Sequence, residues 1–171
     1  MASPATPECW LRGPIADVQP ALQPAAHAFQ QTLEDVERMA ADLTDEQLWM
    51  SPGGASSVGF HLLHLAGSTD RLLTYARGEM LDDAQKAAFK AESATQSGNV
   101  AALLSGVRAA IDKALAQLRA TPETTLFEAR AVGRAQLPTT VLGLLFHAAE
   151  HSQRHAGQVV TTVKIVRSLM S

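Results

Sequence analysis

The chain has 171 residues, 46% of them hydrophobic, and its formal net charge is −3. This length fits one domain with a sizeable core, so we predict a single domain over residues 1–171 with an extended arm over residues 1–20. The absence of a basic stripe argues against nucleic acid as a partner, and no run approaches the ~20 apolar residues that cross a bilayer. We expect a soluble, cytoplasmic protein with no membrane partner.

The first helix is predicted from about Gln23 to about Leu43. Pro24 suits a first helical position, and the apolar residues that follow recur at helical spacing. In the preceding arm, prolines and Gly13 favour extended structure. Trp10 and Leu11 either fix this arm to the domain or belong to a loose tail.

Capping patterns and breaks divide the middle of the chain. Thr44 and Gln47 are spaced as a capping box for a short helical turn, and residues 51–55, SPGGA, form a strong break. A second long helix is predicted over residues 57–77, where Gly78 ends it.

The remaining segments are predicted as a short polar helix, a loop, a long helix, an irregular segment and a last long helix: residues 82–91, 92–99, 100–120, 128–138 and 140–168. Asn99 is a predicted N-cap, and so is Thr139 or Thr140. Four long amphipathic helices predict an all-α four-helix bundle, with no sheet of more than two short strands.

Five of the six histidines form two clusters, namely His61 and His64 on the second long helix and His147, His151 and His155 on the last. Side chains four residues apart lie on one helix face about 6 Å apart, so two imidazoles can share a metal ion. A third imidazole from another helix completes a three-nitrogen site with one open position. Ordinary hydrogen-bonded histidines are the alternative, but two clusters together favour a metal.

Helical periodicity ranks these histidines by their expected burial. It places His155 within the apolar stripe of the last helix, His151 at its edge and His147 further round. On the second long helix it favours His61 over His64 as the buried ligand.

The two histidine segments, SSVGFHLLHLAGSTDRLLTYARGE and HAAEHSQRHAGQVV, resemble the DinB/YfiT-like superfamily of metalloenzymes. The resemblance extends over nearly the whole chain and implies an up-down-down-up bundle with one divalent metal ion, zinc or nickel. It implies that the ligands are His64, His151 and His155. It therefore favours His64 where periodicity favours His61.

Other residues are expected around these ligands or in a substrate cavity: His61, His147, Asp70, Arg71 and Gln158. Arg71 could hold an anionic substrate, and a surface arginine is the alternative interpretation. No catalytic residue is predicted.

The resemblance implies a metal-dependent transferase or hydrolase that acts on a small-molecule substrate, with a low-molecular-weight thiol as a candidate cosubstrate. A bound ion would activate either water or a thiol. A metal-binding stress or sensing module without turnover is the alternative, and an interaction bundle is a third class. The resemblance also implies a homodimer, and Trp10, Trp49 and Phe89 lie outside the main apolar stripes, as interface residues would.

Overall fold

The computed structural model describes residues 6–94 and 96–170, which form six α-helices and one antiparallel hairpin. The elements are α1 (Gln23–Ala40), α2 (Asp45–Trp49), α3 (Val58–Ala76), α4 (Asp83–Ala91), α5 (Val100–Ala120), β1 (Ala129–Val132), β2 (Leu137–Thr140) and α6 (Val141–Leu169). The predicted all-α four-helix bundle is confirmed, and its long helices are α1, α3, α5 and α6.

Each long helix packs against two others: α1 and α3 both contact α5 and α6. The helices α1 and α3 therefore occupy opposite corners of the bundle, and so do α5 and α6. The centre is filled by fully buried apolar side chains from all four helices, among them Phe29, Leu62, Leu65, Ile111 and Val159. This arrangement brings α3 and α6, which carry the two histidine clusters, side by side.

The predicted helix starts are confirmed at three positions. The Thr44 hydroxyl accepts from the Gln47 N–H at 3.2 Å, and the Gln47 side chain accepts from the Thr44 N–H at 3.1 Å. Asn99 caps α5, and Thr140 caps α6. The first helix ends at Ala40, earlier than predicted, because Leu43 reaches the core from the turn that follows the helix.

The predicted irregular segment over residues 128–138 instead contributes to a β-hairpin, in which Ala129 pairs with Thr140. Its turn places Gly133 and Gln136 in the left-handed region, with φ of 67° and 48°. The strands are short, one contains a proline and neither has a fully buried face, so no alternating pattern marks them. The hairpin leads directly into α6.

The N-terminal arm packs on α1, but Trp10 and Leu11 do not fix it, because their exposed fractions are 62% and 58%. Cys9 is buried instead, and the Arg12 guanidinium donates to the Glu34 carboxylate at 2.7 Å. Residues 1–5 of the predicted arm lie outside the described residues. The assignment of residues 1–171 to one domain stays a prediction.

Within the described ranges, no helix combines the length and apolar character needed to span a membrane.

Candidate metal centre

Two small hydroxyl side chains meet where α3 packs on α6. The buried hydroxyls of Thr69 and Ser152 lie 3.1 Å apart, and Ser152 donates to the Ala148 carbonyl at 2.8 Å. Ala148 and Ala156 on α6 are also buried. Because these residues fill little volume, the two helices approach closely enough for imidazoles from both to meet.

Three of these imidazoles form one cluster: His64 from α3 and His151 and His155 from α6. Each offers one ring nitrogen, and the three nitrogens all lie within 4.8 Å of one another. The ring centroids are 4.6 Å apart for His64 and His155, 4.6 Å for His151 and His155, and 5.2 Å for His64 and His151. All three side chains are partly buried, so His155 is more exposed than periodicity indicated.

The other two histidines flank this cluster. His61 is buried, as periodicity predicted, and its Nδ1 lies 3.0 Å from Nδ1 of His155. His147 is half exposed, with its ring 5.6 Å from that of His151 and its Nδ1 3.5 Å from the Glu150 carboxylate.

Glu92, which follows α4, is a site residue that the sequence analysis missed. Its Oε2 lies 2.8 Å from Nδ1 of His64, and its carboxylate also pairs with the buried guanidinium of Arg71. A carboxylate accepts, so Nδ1 of His64 donates, and in the neutral ring the lone pair remains on Nε2. That Nε2 lies 3.0 Å from Nε2 of His151.

The surface interpretation of Arg71 is wrong, because its side chain is buried. The guanidinium donates to both Glu92 oxygens and lies 4.4 Å from the centre of the Phe89 ring. An arginine can be buried in this way when a carboxylate neutralises it, and the sequence does not reveal that this carboxylate comes from residue 92.

Asp70 and Gln158, which we expected near the ligands, lie elsewhere. The Asp70 carboxylate accepts from the Gln85 amide at 2.6 Å and lies 3.7 Å from Nζ of Lys113, so it helps to attach α4. Gln158 is exposed, and among the described residues its side chain has no hydrogen-bond partner.

Burial favours the neutral form of three of these imidazoles, those of His61, His151 and His155. It lowers the pKa of His155 to about 3, with further contributions from repulsion by His64 and His151. The pKa values of His151 and His61 are also lowered. The main cause is burial, and the second is electrostatic repulsion by His64. Neutral imidazoles are the form that binds metals.

The nitrogen positions fit a divalent cation. Two ring nitrogens of a tetrahedral zinc site, each ~2.0–2.1 Å from the ion, lie roughly 3.3 Å apart, close to the 3.0 Å between the Nε2 atoms of His64 and His151. Three imidazoles are also a known donor set for zinc.

A small polar pocket of about 380 Å³ lies beside this cluster. Its wall includes Phe60, whose ring stacks on that of His64 with centroids 5.6 Å apart, and the side chains of Ser57, Ser93 and Gln96. Phe60 thus links the pocket to the cluster, and the histidines of the cluster do not themselves line the pocket.

The fold has relatives among known proteins. The family model of the DinB superfamily matches residues 28–159. Among solved structures, YfiT from Bacillus subtilis aligns with a TM-score of 0.66 and 16% identity, over 89% of this chain and 91% of that chain. YfiT is described as a probable metal-dependent hydrolase with an unusual four-helix bundle topology. At this identity the likeness shows the fold alone. No curated protein matches the chain.

The lowered imidazole pKa values predict that the metal-free protein loses stability on acidification. The folded-state pKa of His155 is about 3 against an ordinary value of 6.5, so between these pH values the unfolded chain binds the proton more readily. The contribution is complete above pH 6.5 and decreases as the pH falls towards about 3. Urea unfolding of metal-free protein at several pH values measures it.

The matched comparison is between His155→Asn and His27→Asn. The first variant should lose part of the pH dependence, whereas His27 lies outside both clusters and its variant should keep the wild-type dependence. Equal pH dependence in wild type and His155→Asn would contradict this account.

Proposed function

The chain belongs to the DinB superfamily, and from this premise we propose that it is a metal-dependent enzyme that holds one divalent ion, zinc or nickel, through His64, His151 and His155. The observation that carries the proposal is that ring nitrogens from two helices converge within 4.8 Å. The lowered pKa values of His151 and His155 support it, because both rings stay neutral and keep a lone pair for the ion.

Three protein ligands leave a coordination position for water or substrate in zinc enzymes of this type. An ion in such a site acts as a Lewis acid and lowers the pKa of a bound water or thiol. The chain itself supplies the ligands, the partly buried surroundings and the adjacent polar pocket, whose volume of about 380 Å³ suits a small-molecule substrate.

Hydrolysis is the reaction that the comparison supports, since YfiT is described as a probable metal-dependent hydrolase. The second reaction that we propose is group transfer to or from a low-molecular-weight thiol, for which the same ion would act as the Lewis acid. Within the described residues, the carboxylates near the cluster, Glu92 and Glu150, pair with Arg71 and Arg154. We therefore assign no catalytic general base.

Metal content of single variants tests the ligand assignment. Protein purified without a histidine tag should hold about one ion per chain, and His64→Ala, His151→Ala and His155→Ala should each lose most of it, because two imidazoles bind far more weakly than three. His61→Ala and His147→Ala should retain the ion. If His61→Ala loses the metal while His64→Ala keeps it, the assignment is wrong.

A chelator should lower the melting temperature of the wild type, since an ion that binds only the folded state stabilises it by mass action. The same chelator should leave the melting temperature of His64→Ala nearly unchanged. Together, these two results would show that the ion responsible for the change in melting temperature is bound by the histidine cluster.

Turnover separates the enzyme from a metal-binding stress or sensing module. We expect the metal-loaded wild type, but not His64→Ala, to hydrolyse activated esters or amides, or to join a thiol to an electrophile. Activity that requires added thiol identifies the transferase, and activity without it identifies the hydrolase. If the protein binds one ion per chain but neither hydrolyses the esters and amides nor joins the thiol to the electrophile, the metal-binding module is favoured.

We also propose a two-fold symmetric homodimer. Trp10 and Phe89 support it, with exposed fractions of 62% and 56%. Trp49 does not, because its ring packs on Gly59 and its Nε1–H donates to the Gly98 carbonyl at 3.1 Å. Light scattering should give twice the chain mass of 18.2 kDa, and the single-chain mass would contradict the dimer.

A cytoplasmic location and the absence of a nucleic-acid partner remain predictions from composition.

A further inference from the structure

A buried ion pair lies directly behind the candidate ligand His64. Arg71 and Glu92 are each only 8% exposed, and the Glu92 carboxylate binds both the Arg71 guanidinium and Nδ1 of His64. Glu92 also occupies the C-cap of α4, the helix end where a negative charge is unfavourable. A buried carboxylate in this position needs hydrogen-bond donors or a cation to stabilise its charge, and His64 and Arg71 supply them.

Gly67 provides the space for this ion pair. It lies three residues after His64 on the same face of α3, and a Cβ at this position would overlap Oε1 of Glu92 and lie 2.8 Å from Nη1 of Arg71. By contrast, a Cβ at Gly106 in α5 would meet nothing within 4 Å. The absence of a side chain at Gly67 therefore lets the Glu92 carboxylate approach α3 beside His64.

We infer that Glu92 is a positioning residue for the metal centre, which holds His64 in its Nδ1–H tautomer and directs Nε2 to the ion. The inference rests on the proposed function. A carboxylate that accepts from the remote nitrogen fixes the orientation of a ligand imidazole and strengthens it as a donor. Arg71 fixes the carboxylate in turn, and Phe89 covers Arg71 at 4.4 Å.

The tautomer of His64 in metal-free protein is the most direct test. Imidazole ¹⁵N chemical shifts should show the Nδ1–H form in wild type. In Glu92→Ala, which removes the acceptor, the population should move towards Nε2–H. Glu92→Gln keeps an acceptor oxygen without the charge, so it should retain the Nδ1–H form. A purely structural role of Glu92 would leave the tautomer unchanged in all three proteins.

Zinc affinity, measured by competition with a chromophoric chelator, is the second readout. Glu92→Ala should bind Zn²⁺ about 10–100-fold more weakly than wild type, as expected for loss of such a supporting carboxylate, and Glu92→Gln should show a smaller loss. Gly67→Ala should also weaken binding, because its methyl group displaces Glu92 although every ligand remains. Gly106→Ala is the matched control and should bind like wild type.

The outcomes are distinct. The inference is overturned if His64 keeps its tautomer in Glu92→Ala, and equally if Glu92→Ala and Gly67→Ala bind Zn²⁺ within about twofold of wild type. If Glu92→Ala does not fold because Arg71 is left unpaired, Gly67→Ala, which displaces Glu92 but keeps its charge, decides by the same measurements. A wild type that binds neither Zn²⁺ nor Ni²⁺ refutes the proposed function, whereas the tautomer of His64 in the Glu92 variants still decides whether this carboxylate positions the ring.

Discussion

The close contact between α3 and α6 is the constraint on which the site depends. Imidazoles on separate helices can present nitrogens to one point only if the helices approach closely, and here the small, paired hydroxyls of Thr69 and Ser152 lie in the contact. Since Ser152 lies between His151 and His155, the hydroxyl pair also sets the rotation of α6 about its axis. Bundle packing and ring convergence are thus consequences of the same small residues.

The sequence predicted much of this, because helix periodicity and capping depend on neighbouring residues. Thr44, Asn99 and Thr140 cap their helices as expected, and His64, His151 and His155, the ligands that the family resemblance implied, lie together. Periodicity was also right that His61 is the more buried histidine of its pair. Burial and access to a shared centre are different properties, however, and His61 lies behind His155 while the partly exposed His64 faces both rings of α6.

The residues that the sequence could not predict are those whose role comes from a distant partner. Glu92 follows a short polar helix and has no local signal, yet α4 attaches to α3 through polar contacts that deliver it: Gln85 binds Asp70 and Thr74, and Phe89 covers Arg71. Arg71 was open to a surface interpretation for the same reason. The hairpin was not predicted because its strands are short and lack an alternating apolar face. These strands are defined by their pairing with each other rather than by their composition.

The charges around the cluster bear on the chemistry of the site. The negative charge of Glu92 is matched by Arg71, while Glu150, beside His147, is matched by Arg154. Burial also favours the neutral imidazole form of His151 and His155, whose pKa values it lowers. An ion held by three such rings would keep nearly all of its double positive charge, whereas a carboxylate ligand would cancel part of it. That distribution would favour the polarisation of a bound water or thiol, and it supports the proposed enzyme over the alternative of a metal-binding module without turnover.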